Sequence, residues 1–117
     1  MKIPLIILTL LLLIWGLAQA QSIPQPAYTN EQIANAIFWA EGGHRTRHPY
    51  GILAHYKHTT PRQACLNTIS HARKDWNGRG DFLEFLSKRY APINCDTDNG
   101  TNKFWLKNVR WYLRRQR

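Results

Sequence analysis

Acidic residues are scarce in this chain. Of its 117 residues only seven are Asp or Glu, against sixteen Lys or Arg, and the net charge is +9. Such a charge attracts polyanions of any kind, including nucleic acid, anionic lipid headgroups and acidic envelope polymers. No recognisable nucleic-acid-binding motif accompanies it. Cysteine is equally sparse. Cys65 and Cys95 are the only two, and neither lies in a C-x-x-C pair, so a structural zinc site lacks its ligands. Sustained strand alternation and internal repeats are also missing, which turns the reading toward helices.

One long apolar run is present, at the very start. Lys2 supplies a positive charge, and Leu5 to Leu17 follow, broken only by Thr9, Trp15 and Gly16. Ala18-Gln19-Ala20 then matches the small-x-small pattern that a signal peptidase accepts, so residues 1–20 are expected to be a signal peptide, with Gln21 as the new N-terminus. The alternative is an uncleaved anchor, but the run falls short of a span of ~20 apolar residues and no basic stop-transfer cluster follows it. Export implies a periplasmic or extracellular location. It makes nucleic acid the poorest of the polyanion partners, and a membrane partner is expected only if the signal is retained. An oxidising compartment also favours a Cys65–Cys95 disulfide. Closing that loop stabilises by about 3.7 kcal/mol at most; two unpaired buried thiols are the other reading.

Residues 21–29 carry Pro24 and Pro26 and read as a flexible leader, so the folded domain is expected over 30–117. Thr29-Asn30-Glu31-Gln32 has the form of a capping box. Ile33, Ala36, Ile37, Ala40 and Glu41 recur at helical spacing, which predicts a first helix from about Asn30 to Glu41, stopped by Gly42-Gly43. Residues 44–61 hold Pro49, Gly51 and Pro61 without a helical period and read as an ordered loop. Pro61 and Arg62 open a second helix to about Trp76, with Cys65, Leu66 and Ile69 as core. Asn77-Gly78-Arg79-Gly80 forms a turn. Asp81 caps a third helix with Phe82, Leu83, Phe85 and Leu86 inward, ending before Pro92. After a polar loop over 96–102, residues 103–114 form a last helix with Trp105, Val109, Tyr112 and Leu113 inward. The expectation is a small, mostly all-α single domain of about four helices with one long loop.

Glu41 is out of place in this pattern. It shares a helix face with Ile33 and Ile37, in the last turn and directly before two glycines. Apolar neighbours and the negative end of the helix dipole both disfavour its ionised form and push its pKa up. A carboxyl held protonated near neutrality is what general-acid cleavage of a glycosidic bond requires. The alternative is a structural Glu at the edge of the core, paired with Arg45 or Arg73.

Ala40-Glu41-Gly42-Gly43 followed by Tyr50-Gly51-Ile52-Leu53 resembles the lysozyme-like lytic transglycosylase family. In that family a catalytic Glu ends a helix in an E-S-x-G-like context, and a G-L-M-Q-type segment lines the cleft. Phe85 to Pro92, with Arg89-Tyr90-Ala91-Pro92, is similar to the family helix ending in A-Y-N-x-G, and Asn108-Val109 lies before the end of the terminal helix. Within the family, the pattern A-E-G-G, P-Y-G-I, C-L-N-T-I and R-Y-x-P resembles small exported transglycosylase-like proteins of bacteria. The resemblance spans residues 31–113. It implies a lysozyme-like fold and cleavage of the β-1,4 glycosidic bond in peptidoglycan glycan strands, with no cofactor. By position it implies Glu41 as acid/base, with Tyr50, Gly51 and Ile52 in the cleft segment and Tyr90 as the aromatic that positions substrate and acid. Leu53 and Ala54 replace the Gln of G-L-M-Q, and Ala91 the Asn of A-Y-N.

A hydrolase of this kind generally uses a second carboxylate. Asp81 reads as a cap, Glu84 points away from the apolar face, Asp96 and Asp98 fall in a polar loop, and Asp75 neighbours Lys74. A lytic transglycosylase needs one acid/base, because the substrate's own hydroxyl attacks to form an anhydro sugar; the lone Glu fits that outcome better. A non-catalytic cationic module that binds cell wall or an envelope protein on the same fold is the second expectation. His44 and His48, then His55 and His58, lack H-E-x-x-H or a carboxylate companion, so no metal is expected. The Asp96–Gly100 run fails as a calcium loop, since its Gly comes early and Lys107 stands where the bidentate Glu belongs. Trp39 points off the apolar face of its helix and is the better tryptophan for stacking on sugar, whereas Trp76 and Trp105 read as core. The basic C-terminus next to Trp111 is usually a solvated tail, but can also bind anionic polymer or membrane.

Overall fold

The first element begins where its capping box predicts. In the computed structural model, which describes residues 27–116, Thr29 Oγ1 accepts the Gln32 N–H at 3.1 Å and Gln32 Oε1 accepts the Thr29 N–H at 2.9 Å. Two donors that the helix would leave orphaned are thereby satisfied, and α1 runs over Asn30–Ala40. The expected signal peptide and residues 21–26 of the expected leader lie outside the described residues. Glu41 is the C-cap of α1 rather than its last helical residue, because Gly42 turns left-handed at φ 110° and ends the ladder.

Helix α2 spans Pro61–Asp75. The Thr60 side chain accepts the Gln63 N–H at 3.1 Å, and Pro61 sits in the first turn, where its missing N–H costs nothing. Trp76 caps the end and is half-buried rather than core. Its indole N–H donates to Arg79 O at 3.1 Å, and its ring meets Phe82 edge-on, which closes the expected turn. Helix α3 covers Phe82–Tyr90, with Asp81 capping it through a 3.0 Å bond from the Leu83 N–H. Helix α4 covers Trp105–Arg115, beginning two residues later than the spacing predicts. Asn102–Phe104 forms a 3-10 turn instead, since no side chain caps the α-helical start.

The helices make a ring. Helix α1 packs on both α2 and α4, and α3 closes the far side between those two. Ile33, Ala34, Ala36 and Ile37 of α1 are buried from both flanks, where the small Ala34 and Ala36 let the neighbouring helices approach closely. Ile69, Leu86, Val109 and Leu113 complete the middle, and burial of each large aliphatic contributes roughly 1.5–3 kcal/mol. Phe85 and Tyr112, expected inward, are only half-buried; the Arg89 guanidinium covers the Phe85 ring. Helices α1 and α4 run antiparallel. The Gln116 side chain donates to Gln32 O at 2.9 Å at one end, and Trp105 lies beside Glu41 at the other. Among the described residues there is no strand, and no helix is long and apolar enough to cross a membrane.

The expected Cys65–Cys95 bridge is not formed; both cysteines are free thiols. Cys65 is buried on α2, and its thiol meets the Tyr90 hydroxyl. Cys95 lies in the loop after α3, 3.4 Å from Thr97 Oγ1 and 3.8 Å from Asn102 Nδ2. Each sulfur is engaged by its own surroundings, and the 91–101 loop is tied down by other means. Asp98 accepts backbone N–H bonds from Asn94, Gly100 and Asn102 at 2.8, 2.8 and 3.2 Å. These bonds, that of Asn94 foremost, hold the Asp98 carboxyl below its ordinary range.

Candidate active site

Four sequence-separated pieces converge at the C-terminal end of α1. Glu41 is half-buried there. Desolvation raises its pKa above 4.5, the value of a free Glu, and the nearby Trp105 side chain partly offsets the rise. The end of a helix adds to the effect, because its exposed carbonyls repel a carboxylate. Neither Arg45 nor Arg73 pairs with it. Arg45 is exposed, and Arg73 is spent at the opposite end of the molecule, where it donates to Asn30 Oδ1 and Tyr28 O and covers the Phe82 ring. Among the described residues Glu41 has no ion pair.

The Pro49–Gly51 turn lies over the acid, packed between α1 and α2. Gly51 has φ 67°, and a Cβ there would stand 2.8 Å from Glu41 Oε2 and 2.9 Å from Cδ. Only a glycine lets the backbone come this close to the carboxyl. Tyr50, at φ 61°, is in the left-handed region without a glycine's freedom, a conformation that costs about 1–2 kcal/mol. Its surroundings hold it there. The Arg62 guanidinium donates to Tyr50 Oη and to Asn35 Oδ1, both at 3.0 Å, the Tyr90 hydroxyl donates to Tyr50 O, and the Tyr50 ring packs on Phe38.

Trp105 closes the site from α4. It is 5% exposed, its ring stacks on Tyr90 with centroids 5.3 Å apart, and its indole N–H faces the Glu41 side. That N–H favours the ionised carboxylate yet falls short of completing a hydrogen bond, so it is a buried donor without a partner. Such a group costs stability unless something fills its valence, and a ligand oxygen placed between it and Glu41 would do so. Burial pushes the Cys65 thiol up to about 11, and it also raises the Tyr90 hydroxyl, with the Cys65 and Glu41 charges adding to that rise. Both therefore stay protonated at neutral pH and act as neutral neighbours.

Among the residues expected at a site, Glu41, Gly51 and Tyr90 come together. Tyr50 is present but buried, its hydroxyl engaged by Arg62, so it braces the turn instead of offering a ring to a ligand. Ile52 packs on the core. Trp39 is 48% exposed, lies two residues before Glu41, and rests on Gly43, where a Cβ would meet its ring at 2.7 Å. Phe38 and His44 stand edge-on beside Trp39, which makes an aromatic rim next to the acid. Two hollows indent the surface elsewhere. One of about 640 Å³ lies among Tyr28, Arg73, Trp76 and Arg114, and one of about 400 Å³ between the end of α3 and the start of α4. Glu41 lines neither of these two.

The remaining acids are otherwise engaged or exposed. Asp75 pairs with Arg89 at 2.6 Å, Asp81 caps α3 and pairs with Arg110, Asp98 anchors its loop, and Glu31, Glu84 and Asp96 are exposed. None is among the groups that perturb Glu41. The described residues contain no cluster of three or more metal-ligating side chains. Sequence reasoning missed Arg62 and the role of Trp105. An arginine in the first turn of a helix and a tryptophan at a core position carry no local mark of the distant groups they reach. Comparison with protein-family models, with curated proteins and with solved structures gave no match.

Proposed function

We propose that this protein is a small exported lytic transglycosylase with a lysozyme-like helical fold, cleaving the β-1,4 glycosidic bond of peptidoglycan glycan strands with Glu41 as its one acid/base. The observation that carries this reading is a half-buried, unpaired carboxyl with a raised pKa, pressed by Gly51 and faced by the unpartnered Trp105 N–H, with no second carboxylate acting on it. A protonated Glu41 can give its proton to the leaving glycosidic oxygen. The resulting carboxylate then takes a proton from the substrate's own hydroxyl as that oxygen closes on the anomeric carbon, which leaves an anhydro end. No activated water, and so no second carboxylate, is needed. The half-exposed Trp39 ring offers a stacking face for a sugar beside the acid. The resemblance of Ala40–Gly43, Tyr50–Leu53 and Arg89–Pro92 to the transglycosylase family supports the same reading, as does the apparent signal at residues 1–20.

Purified peptidoglycan incubated with the chain should yield anhydro-ended fragments, and Glu41→Gln should abolish them. Fragments with reducing ends would point to hydrolysis instead, and equal inactivity of both proteins would end the enzymatic reading. A second reading, a non-catalytic wall-binding module, is favoured by one observation: Leu53, Ala54 and Ala91 stand where the family carries Gln and Asn. It expects Glu41→Gln to bind wall polymer as the parent does, with binding weakened by salt.

A further inference from the structure

Helix α4 has two opposed faces, and the fold uses one. Trp105, Val109 and Leu113 point into the core. On the other side Phe104, Lys107, Asn108, Trp111, Arg114 and Arg115 recur at three- and four-residue spacing and are all exposed, so they form one continuous strip. No Asp or Glu occurs from Asn99 to the end of the chain. Arg110, at the edge of the strip, pairs with Asp81; among the described residues Lys107, Arg114 and Arg115 pair with no acid. The strip is not simply charged. Phe104 and Trp111 remain 49% and 42% exposed, the Lys103 ammonium lies 5.1 Å from the Phe104 ring centroid, and the Arg115 guanidinium lies 3.6 Å over Trp111.

We propose that this strip docks the protein on the surface of an anionic lipid bilayer. The charge complementarity is direct: a column of unpaired cations meets lipid phosphates, each cation adding to the attraction. The aromatic rings decide between lipid and a soluble polyanion. A dissolved polyphosphate without sugar rings or bases, such as poly(glycerol phosphate), would be held by cations alone, whereas two large rings kept half-exposed between cations suit a boundary with a wet side and an apolar side. Lys and Arg stems can lie along that boundary while their heads stay in water. None of the side chains gathered round Glu41 belongs to the strip, so docking and the proposed chemistry are separable.

The test uses the chain from Gln21 onward, without the apolar run that would itself enter lipid; among the described residues every buried apolar side chain lies between Ile33 and Leu113. The protein should co-sediment with phosphatidylcholine vesicles that contain phosphatidylglycerol and not with phosphatidylcholine alone, and salt should weaken the association. The combined variant Lys107→Gln, Arg114→Gln and Arg115→Gln should bind about a hundredfold more weakly, at roughly fivefold per cation. A second variant, Phe104→Ser with Trp111→Ser, should lose vesicle binding while still holding soluble poly(glycerol phosphate) as the parent does. Equal partition onto neutral and anionic vesicles, or parental binding by the charge variant, would overturn the proposal. So would parental vesicle binding by the aromatic variant, which would leave a site for dissolved polyanions only. All five positions are exposed, and circular dichroism checks that each variant keeps its helices.

Discussion

At Glu41 the sequence placed a carboxyl among apolar neighbours at a helix end, and the structure adds what surrounds it. Burial raises its pKa, and the Trp105 indole partly offsets that rise. The sign of the consequence follows from proton linkage. A carboxyl whose folded pKa lies above its unfolded value binds its proton more tightly in the folded state. That stability is fully present below the unfolded pKa, near 4.5, and is lost as pH rises through the folded pKa. Glu41→Gln removes the ionisation. The variant should therefore melt at a higher temperature than the parent at neutral pH, and the difference should shrink below about pH 4.5. Calorimetry across pH checks this, and a parent no less stable than the variant at pH 7 would mean that Glu41 is not desolvated. The acid's identity was legible because its position contradicts its chemistry. Its missing ion pair was not, since Arg45 and Arg73 look equally available along the chain and only the fold carries Arg73 to Asn30 and Tyr28.

Among the elements, the Pro49–Gly51 turn shows most clearly how local sequence and tertiary contact divide the work. Proline and glycine announce a turn, but nothing local announces that Tyr50 adopts a left-handed conformation at φ 61°. Arg62 from α2 and Tyr90 from α3 impose it from two sides. The reward is the contact between Gly51 and the Glu41 carboxyl. Gly51→Ala should therefore act twice. It adds left-handed strain of about 1–2 kcal/mol, and its Cβ, 2.8 Å from Oε2, must push the carboxyl aside. The expected outcome is a modest loss of stability by urea unfolding together with a loss of the proposed peptidoglycan turnover much larger than that destabilisation explains. Wild-type turnover in this variant would show that the contact does not position the acid. Helix ends were more readily legible. Thr29, Asp81 and Gly42 act through bonds or dihedrals within a few residues, so their sequence signals hold. The start of α4 shifted by two residues in a stretch that has no side-chain cap to mark it.

For the molecule as a whole, the two free thiols change how the 61–102 half is held together. A disulfide was expected to contribute a few kcal/mol; the same region is secured by Asp98, by the Arg89–Asp75 pair and by burial of Cys65 in the core. A thiol reagent should accordingly label Cys95 in the folded protein and reach Cys65 only after unfolding, because Cys65 is buried and its thiol is pushed up to about 11. Reductant should leave the melting temperature unchanged, and a fall on reduction would restore the bridge. Charge and apolar periodicity were readable from the sequence because they are local or additive properties. By itself the sequence determined the helical class, four amphipathic elements, the Thr29 and Asp81 caps and an odd carboxyl at a helix end. The tertiary structure alone decided that Trp105 meets Glu41, that Arg62 braces the turn above it, and that Cys65 and Cys95 stay apart. Those contacts join residues tens of positions apart, and their geometry exists only once the ring of helices has closed.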